Sequence, residues 1–253
     1  MRSRNSIRIG ILLATGILLV IAGSLITATS QEKPAYKPTG SEATIVGTIS
    51  FEGTPPEPSQ IDTSADSVCE KFDPLMTDWV IVKDHKLANV VVYVRGESLN
   101  LYSFETPSEG VTLEHKGCRY VPHVLGLQVQ QRLWVLNSDA TTHNTHPIPK
   151  NNRDWSYSQP SGAAVITQVF DSPELFIPFK DNQHPWEKAY VGVFSHPFFS
   201  VSATDGTYKI SGVPPGRYSV VAWHERLGEQ TVDLFLAGSE QKNLDFAFKA
   251  SDH

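Results

Sequence analysis

Alternating apolar and polar residues form short segments along most of the chain from position 44 onward. The segment TIVGTISFEG, residues 44–53, alternates in this way and is followed by the turn-forming sequence TPPEPS. The segments DWVIVKD and ANVVVYVRG are β-branched runs of strand length, separated by a short connection typical of a hairpin. No part of 44–250 has a sustained apolar period of 3.6 residues. The pattern therefore predicts an all-β fold of antiparallel sheets in a sandwich or barrel.

A second group of strands and turns begins near Thr204. The segment DGTYKISGVPPGRYSVVAWHE alternates around two turn sequences, and QTVDLFLAG and KNLDFAFKA add two further strands. The segment resembles the carboxypeptidase regulatory-like (transthyretin-like) fold at these positions: Asp205, Gly206, Tyr208, Ile210, Pro215, Gly216 and Tyr218. The resemblance implies a separate small β-sandwich over 204–253. In proteins that carry it, this fold serves support, adhesion or sugar binding, not catalysis.

The N-terminus combines a basic flank with a long uncharged segment. Arg2, Arg4 and Arg8 precede the apolar residues 9–28. About 20 apolar residues span a bilayer as a helix, and the basic flank stays in the cytoplasm. We expect a transmembrane anchor over 1–30, a polar tether over 31–43, and a body on the periplasmic, extracytoplasmic face of the inner membrane. Cleavage after Ser30 is the alternative, and it exports the same body.

The chain has two cysteines, Cys69 and Cys118. In an exported protein two cysteines predict one disulfide. Closing the loop between Cys69 and Cys118 contributes roughly 4 kcal/mol to stability in the chain-entropy account. The alternative is that one cysteine is a metal thiolate, which would leave the other unpaired.

Composition and charge exclude several functional classes. The hydrophobic content of 40% and charged content of 19% are ordinary for a globular protein, and the formal net charge is −6. No Lys/Arg-rich run follows the first ten residues, which argues against nucleic acid as a partner. The sequence has no Gly-x-Ser-x-Gly elbow and no phosphate-binding Gly-rich loop, so we expect no enzymatic activity.

Two short histidine-containing segments carry the candidate chemistry. VLNSDATTHNTHPIP contains His143 and His146, and DNQHPWEKAYVGVF contains His184. Together they resemble the cupredoxins, most closely amicyanin and pseudoazurin, where a His-Asn pair precedes a Cys-x2-His-x2-Met loop that binds copper. The resemblance implies a cupredoxin-like Greek-key sandwich over 44–203. A bacterial methylamine-utilisation-like group, which joins such a domain to the regulatory-like fold, is also similar in the motifs GCRYVPHV and WHE.

The departures from the cupredoxin pattern change the expected chemistry. Laid on the family loop, the Cys position falls on Asp181 and the Met position on Glu187. A blue type-1 copper centre needs soft sulfur ligands, so we do not expect one. One interpretation is a nitrogen–oxygen site for a single Cu(II) or Zn(II), formed by His143, His184, Asp181 and Glu187 and completed by His146 or His123. The other, which we favour from the sequence, is a polar cluster that holds no metal.

Aromatic residues near these segments are candidate partner contacts. Trp186 lies beside His184, and Trp155 and Tyr157 lie in the long polar loop 149–162. The favoured functional hypothesis is a non-catalytic structural or interaction subunit, anchored in the membrane and docked on a respiratory or photosynthetic electron-transport complex. One alternative is a mononuclear Cu(II)- or Zn-binding protein in metal handling or slow electron transfer. The other is an extracellular carbohydrate-binding protein.

Overall fold

A computed structural model describes residues 32–72 and 74–250 of the chain. This part contains nineteen β-strands, two short 3-10 helices, at Cys69–Lys71 and Glu97–Leu101, and no α-helix. The predicted all-β class is therefore confirmed for these residues. The predicted anchor over 1–30 lies outside them. Within the described residues, no helix is long and apolar enough to cross a membrane.

The strands follow one another in this order along the chain: β1 (Ala43–Glu52), β2 (Val82–Lys83), β3 (Lys86–Leu87), β4 (Val91–Arg95), β5 (Val111–His115), β6 (Tyr120–Val121), β7 (Val124–Gln128), β8 (Leu133–Asn137), β9 (His143–Pro147), β10 (Tyr157–Gln159), β11 (Ile166–Gln168), β12 (Glu174–Lys180), β13 (Lys188–Phe194), β14 (Phe199–Val201), β15 (Thr207–Val213), β16 (Gly216–His224), β17 (Gly228–Leu236), β18 (Gln241–Asn243) and β19 (Phe246–Lys249).

Two sheets built from both ends of the described chain form a first sandwich. One has the order β15-β1-β3-β2, with β18 and β19 also paired to β1, and the other has the order β14-β4-β16-β17. Alternation along β1 and β15 turns Ile45, Ile49 and Ile210 inward, where they share a buried core with Phe51 and Phe248.

The middle of the chain forms a second sandwich. Its sheets have the orders β10-β9-β12-β13-β7 and β11-β8-β5-β6. Two of the pairings are parallel, between β13 and β7 and between β5 and β8. The core between the sheets includes Leu113, Leu127, Leu133, Phe179 and Val191, all of them buried. The ends of these strands carry the candidate site.

An aromatic cluster joins the two sandwiches. Tyr93 and Trp223, from the β14-β4-β16-β17 sheet, pack with Phe176 and Phe194, from the sheet containing β12 and β13. The rings of Phe176 and Trp223 stack with centroids 3.6 Å apart.

Strand pairing also crosses the predicted boundary at 203/204. β1 and β4 belong to the predicted 44–203 segment, yet β1 pairs with β15, β18 and β19, and β4 pairs with β16.

The predicted disulfide is confirmed between Cys69 and Cys118, whose Cα atoms lie 5.7 Å apart. Cys69 begins a 3-10 turn that precedes β2, and Cys118 lies in the turn between β5 and β6. The bond therefore ties an irregular N-terminal segment to the second sandwich. Its two halves lie next to His184 and His143, at one end of that sandwich.

Candidate metal centre

Four strand ends of the second sandwich bring together a buried group of imidazoles and carboxylates. His115 ends β5, His143 begins β9, Asp181 follows β12, and Glu187 precedes β13. All four side chains are buried, and their candidate ligand atoms lie within 4.8 Å of one another. The residues are distant in sequence. They converge because β5 and β12 end at the edge of the sandwich where β9 and β13 begin.

His143 lies at the centre of this group. Its Nδ1 is 2.9 Å from Oδ2 of Asp181, and its Nε2 is 3.2 Å from Oδ2 of Asp139. Burial alone would lower the pKa of His143, but the hydrogen bonds to Asp139 and Asp181 and the nearby charge of Glu187 raise it to about 11. An imidazolium at His143 donates from both ring nitrogens, from Nδ1 to Asp181 and from Nε2 to Asp139.

Asp181 organises the loop between β12 and β13. Its Oδ1 accepts the backbone N–H groups of Gln183 and His184, a local turn typical of Asp. Its Oδ2 accepts from Nδ1 of His143, Nδ1 of His184 and the backbone N–H of Asn144. Burial acts to raise the pKa of Asp181, but these hydrogen bonds hold it well below the usual range of a carboxyl group.

Glu187 has one paired and one unpaired oxygen. Oε2 is 2.8 Å from Nδ1 of His115, whose Nε2 is in turn 2.8 Å from Oγ1 of Thr145. Oε1 is 3.0 Å from Nδ1 of His143, but that N–H is directed at Asp181, and Oε1 is left buried without a hydrogen-bond partner. A buried carboxylate oxygen without a hydrogen-bond partner is costly, and a cation bound beside it would offset that cost.

The imidazole rings are packed closely. The His115 and His143 rings lie 4.5 Å apart between centroids with an interplanar angle of 12°, and the His143 and His184 rings are also 4.5 Å apart. Nε2 of His184 is 3.2 Å from Oδ2 of Asp66, within hydrogen-bonding distance. Hydrogen bonds to Asp181 and Asp66 raise the pKa of His184 against the opposing effect of burial. Three imidazoles thus form one continuous layer at this end of the sandwich.

The structure brings some predicted residues into this cluster and leaves others outside. His143, Asp181 and Glu187 belong to this buried group, and His184 lies against it, with Nδ1 3.0 Å from Oδ2 of Asp181. His146 lies outside, because its ring is partly exposed and contacts Asp154 and Asn182.

The other candidates also have contacts of their own. His123 pairs with Glu225 of the first sandwich. Trp186 packs beside His184 and donates Nε1–H to the carbonyl oxygen of Cys118, and Trp155 is partly buried against the second core. Tyr157 is exposed.

Sequence reasoning missed His115, Asp139 and Asp66. The segment VTLEH alternates, so the inward position of His115 on β5 could have been read from the same pattern that predicted the strand. Asp66 and Asp139 lie in loops, where no periodicity indicates direction. Only the folded chain shows that both carboxylates face the imidazole layer.

The donor set and its charge favour a cation. His115, His143, Asp181 and Glu187 offer two nitrogens and two oxygens, a combination that suits Zn(II) or Cu(II). Four carboxylates surround three imidazoles, and no Lys or Arg ion pair found among the described residues involves any of the four. Neither cysteine is free to act as a thiolate, since both are in the disulfide.

Comparison with known proteins finds similarity at the level of structure. No family model and no curated protein matches the sequence. A Cu-containing nitrite reductase from Thermus scotoductus SA-01 is 18% identical, with a TM-score of 0.32, over 34% of this chain and 22% of that one. The chain thus spans about a fifth of that enzyme's length.

Two smaller proteins are matched over most of their own length. Amicyanin from Paracoccus versutus is 12% identical, with a TM-score of 0.31, over 36% of this chain and 86% of that one. A purple cupredoxin from Nitrosopumilus maritimus is 18% identical, with a TM-score of 0.28, over 33% of this chain and 98% of that one. Likeness this low transfers no ligand and no activity. The described residues are all-β, and the solved structures to which the chain is similar include amicyanin and a purple cupredoxin.

Proposed function

We propose that this protein binds a single Zn(II) or Cu(II) ion at the buried nitrogen–oxygen site of His115, His143, Asp181 and Glu187. The observation that carries the proposal is the orphaned Oε1 of Glu187, which is buried within 4.8 Å of the other donors and has no hydrogen-bond partner. A cation bound there gives this oxygen the partner that it lacks.

Charge supports the same assignment. Buried carboxylates are stable when they are paired with cations or metals. Carboxylate oxygens of Asp139, Asp181 and Glu187 all lie within 3.2 Å of a ring nitrogen of His143, so one imidazole faces three carboxylates. A divalent ion would offset this excess of negative charge. The surrounding groups already hold the donors in place, because Asp181 is fixed by its turn and His115 by Thr145.

The same donors argue against blue-copper electron transfer. A blue centre depends on a copper–thiolate bond and a weak sulfur axial ligand, and Asp181 and Glu187 supply only oxygens in those places. With His143 and Glu187 fully buried, the site has no open position for a substrate. We therefore assign the site to metal storage, metal handling or slow redox chemistry, without catalysis.

The test is metal binding by the oxidised, full-length protein. After treatment with a chelator, we expect one Zn(II) per chain by equilibrium dialysis and mass spectrometry of the metal. Glu187→Gln keeps the shape of the side chain and removes its charge, and it should weaken Zn(II) binding about 10- to 100-fold. His146→Gln is the matched control, since His146 lies outside the cluster. Equal binding by the wild type and Glu187→Gln, or no stoichiometric binding, would refute the proposal.

A second candidate is a non-catalytic interaction subunit, anchored at the periplasmic face of the inner membrane and docked on a membrane electron-transport complex. The observation that favours it is a group of exposed apolar residues within one stretch of the second sandwich: Tyr157 is 45% exposed, Val165 50% and Val169 43%. Exposed aromatic residues are enriched at interface hot spots. The carbohydrate-binding role stays a prediction.

Native purification tests this second candidate. Mild detergent extraction should yield the protein in a stable complex, and Tyr157→Ser should release it. Tyr102→Ser, at another exposed tyrosine, is the matched control. If the native protein runs alone, the interaction role is wrong, whatever the metal content.

A further inference from the structure

The disulfide lies directly against the imidazole layer. Two groups of potential ligands flank it, one of Asp66, Cys69 and His184 and the other of Cys118, Asp139 and His143. In each group the sulfur, the imidazole nitrogen and the carboxylate oxygen lie within 4.8 Å of one another. One half of the disulfide is therefore next to His184 and the other half is next to His143.

We propose that reduction of the Cys69–Cys118 disulfide creates a second metal site, in which Cys69, Cys118, His143 and His184 bind Zn(II) or Cu(I). In the disulfide, each sulfur is bonded to the other and is not a thiolate. Two thiolates and two imidazoles form the Cys2His2 set that is typical of structural zinc sites, and thiolates also favour Cu(I). The ligand set would thus change from nitrogen–oxygen to nitrogen–sulfur with the redox state.

The chain around each cysteine is held in place independently of the sulfur–sulfur bond. The carboxylate of Asp66 accepts the backbone N–H groups of Val68 and Cys69. The carboxylate of Asp139 accepts the backbone N–H groups of Gly117 and Cys118, at 2.8 Å each. These contacts would keep the backbone of both cysteines beside the imidazoles after the bond breaks.

On the side of the disulfide, each imidazole has one ring nitrogen that contacts a carboxylate of the adjoining cysteine group. Nδ1 of His143 and Nδ1 of His184 both face Asp181, whereas Nε2 of His143 faces Asp139 and Nε2 of His184 faces Asp66. Asp139 and Asp66 are the carboxylates that belong to the two cysteine groups. His143 can therefore serve either the nitrogen–oxygen centre through Nδ1 or the cysteine site through Nε2.

Reduction of the disulfide needs an external reductant. A dithiol reductant gives two electrons and two protons to the disulfide and becomes a disulfide itself, and Cys69 and Cys118 become thiols. Each thiol loses its proton when it binds the metal. The proposal concerns the same imidazole layer as the proposed function, but the two sites are populated in different redox states. A failure of the nitrogen–oxygen site would be seen in the oxidised chain, and a failure of the cysteine site would be seen in the reduced chain. The two failures can therefore be distinguished.

Cobalt(II) binding to the full-length protein tests the proposal, because Co(II)–thiolate bonds give an intense charge-transfer absorption that nitrogen–oxygen sites lack. The reduced wild type should show this absorption with one Co(II) per chain, and the oxidised wild type should not. Cys69→Ser/Cys118→Ser is the matched control, since it lacks the disulfide as the reduced chain does but has no sulfur. The reduced wild type should also bind Zn(II) about 100-fold more tightly than this variant.

Two outcomes would overturn the proposal. One is a folded, reduced wild type without the charge-transfer absorption, or with the same Zn(II) affinity as the double serine variant. The other applies if reduction unfolds the metal-free chain. In that case Zn(II) must restore the folded circular dichroism spectrum of the reduced wild type but not of Cys69→Ser/Cys118→Ser, and failure to restore it contradicts the proposal.

Discussion

Replacement of Asp181 by asparagine tests whether the buried cluster is held by charge. The substitution keeps the size of the side chain and leaves Oδ1 able to accept the backbone N–H groups of Gln183 and His184. It places an amide group where Oδ2 now accepts from His143, His184 and the N–H of Asn144. Donors would then face donors in a site from which water is excluded.

The expected loss follows from the number and kind of these contacts. Hydrogen bonds to a charged group contribute about 1.5–3 kcal/mol each, and removing one partner of a buried ion pair costs about 3–5 kcal/mol. The contacts share one carboxylate and are not additive, so we expect the free energy of unfolding to fall by about 3–5 kcal/mol. Urea unfolding of the metal-free protein at neutral pH would measure it as a lower midpoint with an unchanged m-value.

A matched substitution separates charge removal from burial. Asp154 also contacts a histidine, His146, but its side chain is 65% exposed. Asp154→Asn should change the free energy of unfolding by less than about 0.5 kcal/mol, because exposed ion pairs contribute little. A loss below about 1 kcal/mol for Asp181→Asn, or equal losses for the two variants, would refute the interpretation of the cluster as a buried charge network.

Three further predictions concern stability. Burial lowers the pKa of His196 to about 4, and its Nδ1 accepts the backbone N–H of Phe198, so the folded state holds it neutral. The unfolded chain binds this proton near pH 6.5, so stability should fall by up to about 3 kcal/mol between pH 6.5 and 4, and less in His196→Gln, by urea unfolding at each pH. Cys69→Ser/Cys118→Ser should lower the free energy of unfolding by about 4 kcal/mol, and a loss under about 1 kcal/mol would contradict the chain-entropy account. Trp223→Ala removes the ring stacked on Phe176 and should cost about 3–5 kcal/mol in the same assay; an unchanged midpoint would mean that the contact between the sandwiches contributes nothing.

The strands could be predicted from the sequence, because alternation of apolar and polar residues is a local property. β1 and β15 follow apolar-in, polar-out patterns that can be read without knowing their partners. The partners themselves are not local. Nothing in the residues 43–52 indicates that β1 pairs with three strands after position 206, and this pairing decides which segments share a core.

The candidate site also has residues that the sequence predicts and residues that only the fold brings together. Asp181, His184 and Glu187 lie on one loop, and His143 follows a strand, so a spacing pattern was enough to select them. His115, Asp139 and Asp66 complete the cluster from three other segments and have no spacing relative to that loop. The decisive feature, the unpaired Oε1 of Glu187, depends on the direction of one N–H group and cannot be read from residue order.

Paramagnetic resonance of the oxidised, Cu(II)-loaded protein labelled with 15N-histidine tests the central claim most directly. The nitrogen–oxygen site predicts one Cu(II) per chain, with hyperfine coupling to two imidazole nitrogens and no thiolate character. The signal should be lost in His143→Gln and weakened in Glu187→Gln, and it should persist in His146→Gln. A substoichiometric signal, or one that is unchanged in His143→Gln, would contradict the assignment of a metal to this cluster.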